Sequence, residues 1–429
     1  MNIQRVKESP FTPVDKAPEP DLGHEAIPAS RYTSKEYMEK EWENMWSKVW
    51  LLGGFLSDIP DPGDYICTDI GWESILLVRA SDGDVRAFYN VCQHRGNQLR
   101  PTGIGHAETF KCAYHHWEWT IDGEVKNIPD PDDFTQGLPC DKVSLKEMPC
   151  DNWGGMVWFS MNEEVEPLMD YLGVVPSHLD AYHFEKMVCV NDATVEWHCN
   201  WKSSIDAFNE TYHVQGIHPQ LMWCLDDVDV QTDLYDKHSR YLVPFGAVSP
   251  RVNLEDPKQI PGPIQDMMLA AGMDPKTYEG DVTTVRRDMQ KHRRAQGNSI
   301  GFDISGMNDD QLTDDYHYFI FPNLTLNTHC DSLMLFRQRP HETDPDKMYF
   351  DIWNFAMPKE GEEPPARAHH RELVHGKDSL GLVVDQDAFN LPRVQRGMHS
   401  KGFAKGLWIP FQERRIRHFH KTLEEYVGE

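Results

Sequence analysis

The sequence predicts an α+β protein of two domains, a small antiparallel β module followed by a larger domain with a long antiparallel sheet and C-terminal helices. Three observations carry this. Between Trp50 and Phe159, short β-type runs (ESILLVRA, DVRAFYNVC, ETFKCAYHHWEW) alternate with the turn signals DPGD, SDGD and IDGE. From Asp315 to Pro358 the runs DYHYFIFPNLTLN, MLFRQRP and KMYFDIWNFAMP read as strands of an antiparallel sheet. The chain has 429 residues, enough for two sizeable cores.

The elements follow in order. Residues 1 to about 30 are Pro-rich and polar, an extended arm. Ser34 reads as an N-cap, and SKEYMEKEWENMWSKVW as one helix bearing Trp42, Trp46 and Trp50. The β module comes next. A linker and short helix occupy 160–195, 193–201 is strand-like, and Trp201 to about Gly216 is helical. The stretch from about Leu225 to Gly301 is polar and rich in Pro and Gly, with one helical piece near TTVRRDMQKHRRAQ. In the later strands His317 reads as a sheet residue and His329 as a loop residue. The chain closes on a charged helix, QERRIRHFHKTLEEYV. These readings divide the chain into 1–46, 47–162 and 163–429, with the first segment packing on the third.

A formal charge of -27 and a pI near 5.1 argue against nucleic acid and anionic membrane surfaces as partners. No apolar run approaches a membrane span, and the N-terminus MNIQRVKESPFTPVDKAPEPD lacks the apolar core of a signal peptide. A cytoplasmic protein with no membrane partner is expected. The nine cysteines (Cys67, Cys92, Cys112, Cys140, Cys150, Cys189, Cys199, Cys224 and Cys330) are odd in number and follow no export signal. Metal ligation or burial is therefore favoured over a disulfide framework.

Two clusters carry ligand chemistry. In NWKSSIDAFNETYHVQGIHP, two imidazoles, His213 and His218, follow Glu210. With an oxygen ligand from elsewhere they make a 2-His-1-carboxylate face, which holds Fe(II) and leaves positions open for O2 and substrate. Five residues apart, the two histidines miss each other by roughly 140° on an ideal helix. Pro219 disfavours helical geometry at His218, so His218 is expected where the helix unwinds. In the β module, Cys92 and His94 form one loop and Cys112 and His115 another, with seventeen residues between His94 and Cys112. Such a set can bind Zn or a [2Fe–2S] cluster with both thiolates on one iron and both imidazoles on the other. One Cys and one His from each hairpin tip suits the two-iron centre, because each loop then serves both irons.

The runs NVCQHRGNQL, CAYHHWEW and NETYHVQGIHP resemble the α subunits of Rieske non-haem iron oxygenases, the aromatic ring-hydroxylating oxygenase family. The resemblance runs from the Trp50 region to the C-terminus. His116 departs from it, since the family usually has Gly there. What the resemblance implies is a Rieske domain over 47–162 and, over 163–429, a helix-grip catalytic domain whose curved antiparallel sheet holds C-terminal helices. It implies one [2Fe–2S] cluster and one Fe(II) per chain. By matching LGLVVDQDAFNLPRVQRG to the family's third-ligand helix, Asp387 becomes the third iron ligand, with Asp385 beside it as the competing choice. Glu210 stands where the family usually has an Asp that bridges a cluster histidine to an iron histidine, and Asp206 stands one turn earlier, near the iron. An NAD(P)H-dependent reductase, with or without a ferredoxin, is implied as electron donor, and a homotrimer, with or without a small β subunit, as the assembly. The expected activity is hydroxylation of an aromatic or polycyclic substrate, with Phe208, Leu221, Met222, Trp223 and Phe245 supplying apolar surroundings. Demethylation or hydroxylation of a quaternary amine is the alternative on the same scaffold. An electron-transfer iron–sulfur protein without oxygenation is the alternative of another class.

Overall fold

The structure, a computed structural model, describes residues 14–138 and 143–428; Cys140 and the first thirteen residues of the expected arm lie outside them. The chain forms two compact units. One comprises Glu39–Ser177 with His341–Thr343, and the other comprises residues up to Met38, His178–Pro340 and the chain from Asp344 onward. The divisions at 38/39 and 177/178 differ from the 46/47 and 162/163 read from the sequence. The first falls inside the helix Lys35–Glu41, which Ser34 opens by accepting the Tyr37 N–H at 3.2 Å and which continues as a π-helical turn over Trp42–Trp46. The second moves outward because Glu166 and the short helix Leu168–Leu172 stay with the β unit, where the Glu166 carbonyl takes the Trp50 indole N–H at 2.8 Å.

Among the described residues the β unit holds three antiparallel sheets. Five strands run in the order Glu147–Met148, Val85–Tyr89, Glu73–Arg79, Asp64–Ile70, Gly103–His106. Leu51–Phe55 pairs with Met156–Phe159, and that with Cys150–Trp153. Thr109–Lys111, Glu118–Thr120 and Val125–Asn127 form the third. Alternating side chains bury Leu76, Val78, Phe88, Phe110 and Trp119 in one core, and Cys92 and Cys112 belong to it.

The larger unit is built on one eight-stranded sheet. Its order is Gln231–Leu234, Ser239–Val243, Asp315–Ile320, Leu324–His329, Ser332–Pro340, Met348–Ala356, Val188–Trp197, Arg371–Leu373, antiparallel except at the last pair. The helices Trp201–Phe208, Leu382–Met398 and Arg414–Val427 belong to the same unit. Asn200 caps the first of these, accepting the Lys202 N–H at 3.1 Å, a contact worth about 1 kcal/mol. The sheet grips the last helix through Phe419, whose ring meets Phe319 and Trp201 edge-on at 5.4 and 5.7 Å. This is the α+β architecture expected from the sequence.

Three local readings need correction. The hairpin Gln231–Leu234/Ser239–Val243 falls in the polar stretch where no strand was expected, and helix Gly262–Ala270 precedes the expected helical piece, observed as Val285–Gln296. The hairpin is polar because Asp233 and Arg240 pair across it at 2.8 Å, while Arg240 also donates to the carbonyls of Val14 and Asp15 in the arm. His329 ends a strand rather than lying in a loop. The charged C-terminal helix is largely buried, with Arg417 donating to Glu424 at 2.9 and 3.1 Å and Arg415 to Ser239 of the sheet at 3.0 Å. Among the described residues no helix is long and apolar enough to cross a membrane.

Candidate metal centres

The two Cys/His loops share one backbone design. In the first, the Cys92 N–H donates to the Asn97 carbonyl at 2.8 Å and the Gly96 N–H to the Cys92 carbonyl at 3.0 Å. In the second, Cys112 N–H to Trp117 carbonyl and His116 N–H to Cys112 carbonyl repeat both bonds at 2.8 and 3.0 Å. Such a turn needs a left-handed residue at its fifth position. Gly96 supplies it at φ 74°, and His116 supplies it at φ 59°. The departure at His116 is thus a backbone matter: the position favours glycine, and an exposed histidine adopts the same turn under strain.

The turns bring the four predicted ligands together. The His94 and His115 rings lie 4.6 Å apart at 71°, and His94 stacks on Trp117 at 4.8 Å. The buried Nδ1 of His94 has no hydrogen-bond partner among the described residues. Burial pushes the Cys92 thiol up. Burial acts on Cys112 as well, but the N–H groups of Tyr114 and His115 at its sulfur bring that thiol below its usual range. Two buried thiols, two imidazoles and an orphaned ring nitrogen fit a two-iron cluster.

In the larger unit, helix Trp201–Phe208 stops at Asn209 instead of running to Gly216. Glu210 ends it, because its carboxylate caps the His213 N–H at 2.9 Å and starts the single turn Val214–Ile217. His213 and His218 flank that turn, and His218, held before Pro219, takes φ -122°. The rings end 5.0 Å apart. Thus a break in the helix brings the pair together.

Helix Leu382–Met398 brings Asp387 to the same point. The His218 Nε2 lies 3.3 Å and the His213 Nε2 3.9 Å from Asp387 Oδ1, and ligand atoms of the three residues all fall within 4.8 Å of one another. His218 Nε2 and both Asp387 oxygens are buried without a hydrogen-bond partner among the described residues. Buried polar atoms rarely go unpaired, so three of them facing one point fit a cation. The opposite ring nitrogens are occupied. His213 Nδ1 meets Glu210 Oε1 at 2.5 Å, and His218 Nδ1 donates to Gln386 Oε1 at 2.8 Å. Both protons therefore sit on Nδ1, leaving the two Nε2 lone pairs free for a metal.

The other expected residues are placed differently. Asp385 accepts from Ser379 Oγ and the Leu380 N–H at 2.5 and 2.8 Å, so it serves the start of its helix. Asp206 binds the Tyr32 hydroxyl at 2.5 Å and faces His420 at 3.2 Å, a buried network of its own that makes no hydrogen bond to the two histidines or Asp387. Two residues were missed. Gln386 orients His218 and is itself held by Gln220 at 2.7 Å, and only its place beside Asp387 hints at this. Glu413 is pushed up to about 7 by burial and by the charges of Glu210 and Asp206, with His213 near enough to oppose them; it sits in a run that reads as plain charged helix.

A cavity of about 370 Å³ opens on His213, His218 and Asp387. Phe208, Leu225, Val243, Phe245 and Phe336 line it, with the sheet as one wall. Of the apolar residues expected there, Phe208, Leu221 and Phe245 line it, and Met222 and Trp223 do not.

Residues 49–147 match the Rieske [2Fe-2S] domain model, and residues 184–429 match the ring hydroxylating alpha subunit (catalytic domain) model. The glycine betaine monooxygenase oxygenase subunit of Pseudomonas aeruginosa is 28% identical over 208 residues, 48% of either chain. The large oxygenase component of the naphthalene 1,2-dioxygenase system of Pseudomonas putida is 32% identical over 190 residues, 43% of this chain and 42% of that one. These alignments span about half the length of the curated relatives. The fold is similar to that of the quaternary ammonium Rieske monooxygenase CntA in complex with L-carnitine, at TM-score 0.69 and 19% identity, covering 96% of this chain and 99% of that one. A Rieske [2Fe–2S] domain followed by a non-haem iron catalytic domain makes this chain a member of the ring-hydroxylating α-subunit family.

Proposed function

We propose that this chain is the oxygenase component of a multicomponent system that uses O2 and electrons from NAD(P)H to hydroxylate an organic ring substrate. The observation that carries this reading is the trio His213, His218 and Asp387, the last two buried with an orphaned His218 Nε2 and orphaned carboxylate oxygens, at the edge of a largely apolar cavity. In this reading Cys92, His94, Cys112 and His115 hold the cluster, and the trio holds Fe(II). Iron at that position supplies O2 activation, with the cluster delivering electrons one at a time. Glu210 keeps the proton on His213 Nδ1 and Gln386 takes the one on His218, so both imidazoles present Nε2. The aromatic and aliphatic lining keeps water from the substrate.

A reductase, with or without a ferredoxin, feeds the cluster. Glu210 carries the electron path onward, a role supported by its hold on His213 through both carboxylate oxygens. A cytoplasmic homotrimer is the assembly proposed, with or without a β subunit. Demethylation of a quaternary amine is the second reading, favoured by the aromatic rings of Phe208, Tyr241, Phe245 and Phe336 in the lining, which can face a cation. Electron transfer without oxygenation leaves the trio and its cavity without a use. The test is mass spectrometry of products from a panel of arenes and methylated amines under isotopically labelled O2, with a reconstituted reductase. Label in a ring product supports the reading, label lost as formaldehyde favours the second, and substrate-independent O2 consumption without labelled product refutes both.

A further inference from the structure

One wall of the cavity that the metal-ligating trio also lines is a patch of sheet with an unexpected polarity. Register sets it: Tyr241 pairs with His317, Val243 with Asp315, His317 with Asn327 and Asn327 with Met334, and all of these line the cavity. Side chains two apart on a strand share a face, so Asp315 and His317 stand side by side, about 7 Å apart along the strand.

Neither is satisfied from within. Asp315 is 7% exposed; its Oδ1 accepts the Thr328 N–H at 3.0 Å, and its second oxygen has no hydrogen-bond partner among the described residues. His317 is 2% exposed and stacks on Tyr241 at 4.1 Å. The Arg415 guanidinium, which can only donate, meets His317 Nδ1 at 3.2 Å, so the ring's proton sits on Nε2, and no side chain among the described residues accepts it. Burial, with Arg415 beside it, holds His317 neutral. Burial likewise pushes the Asp315 carboxyl up to about 8 despite Arg415, with Asp314 adding to the rise, so it keeps its proton at neutral pH. The wall therefore offers two neutral donors. Among the described residues that line the cavity there is no lysine or arginine to balance an anion; Arg415 lies behind His317, bound to it and to Ser239.

We propose that Asp315 and His317 set specificity by donating to a neutral acceptor oxygen, such as a ring carbonyl, on an otherwise apolar aromatic substrate, and that carboxylated quaternary amines are turned away. This rests on the cavity being the substrate site proposed above. The carbonyl seats against the sheet, and the ring then faces His213, His218 and Asp387. Against the sheet wall, away from the metal centre, a betaine's carboxylate meets two neutral groups and no lysine or arginine, a burial that costs several kcal/mol.

Calorimetric titration of the iron-loaded full chain tests this with three probes: coumarin, a bicyclic lactone; naphthalene, similar in size without the oxygen; and glycine betaine. Coumarin should bind most tightly and betaine least. Asp315→Leu should weaken coumarin about tenfold and move naphthalene by less than about twofold. Asp315→Asn, which keeps both an acceptor and a donor and guards against a folding defect in the leucine variant, should restore coumarin binding. Equal losses for coumarin and naphthalene, no change for either, failure of coumarin to bind, or betaine binding most tightly would overturn the proposal. Intact coumarin preference without labelled product would count against the oxygenase reading and leave the recognition standing. Labelled products from arenes with coumarin binding indifferent to Asp315 would do the reverse.

Discussion

Cys92, His94, Cys112 and His115 sit in two turns of one design, each closed by its own main-chain hydrogen bonds. His213, His218 and Asp387 instead meet because a broken helix and a second helix far along the chain belong to one sheet-based unit. In the β unit two of the four ligands are part of the core: Cys92 and Cys112 pack with Phe110 and Trp119. In the larger unit they are polar atoms left unpaired at the edge of a cavity. A local, core-embedded site should fail together with its unit. A site assembled by tertiary structure should lose its metal and leave the fold standing.

The largest expected effect is on the first kind. Cys112→Ser should abolish the cluster's visible absorbance and lower the unfolding temperature, since the cluster and the core share that sulfur; a stable, coloured variant would break the comparison. In the larger unit, Glu210→Ala at saturating iron should keep both metals yet slow oxidation of the reduced cluster by substrate and O2 about 10- to 100-fold, read by stopped flow. Unchanged oxidation would end the proposed electron path. Gln386→Leu strips the acceptor from His218 Nδ1 and should weaken iron binding nearer tenfold in a chelator competition, with the visible spectrum unaltered. Equal iron affinity would mean the orienting contact is idle. The smallest effect sharpens the likeness between the two turns. Replacing the φ 59° histidine with glycine, His116→Gly, should stabilise the β unit by about 1 kcal/mol, followed as the loss of cluster colour in denaturant. A loss of stability would show that the imidazole makes a contact worth more than the strain.

The same contrast governs what the sequence reveals. The cluster turns are legible because their ligands, spacing and turn residues lie within one short stretch. The pairing of His213 with His218 is legible, but its mechanism is not, since a helix broken by its own Glu210 carries no period to detect. Asp387 needed the family resemblance to be chosen over Asp385, and the difference between them is tertiary: one faces the histidines, the other bonds the residues just before its own helix. The partners of Asp206 were hidden for a similar reason, because Tyr32 and His420 come from opposite ends of the chain to claim it. The edge hairpin at 231–243 escaped notice because Asp233 and Arg240, which look like surface residues, are buried as a pair beneath the arm.

The most direct test of two separate iron sites is the metal content of His213→Ala beside its visible spectrum. Iron should fall from about three to about two atoms per chain while the cluster's absorbance stays at the wild-type level. Iron unchanged at about three, or zinc in place of the cluster in the β unit, would contradict it.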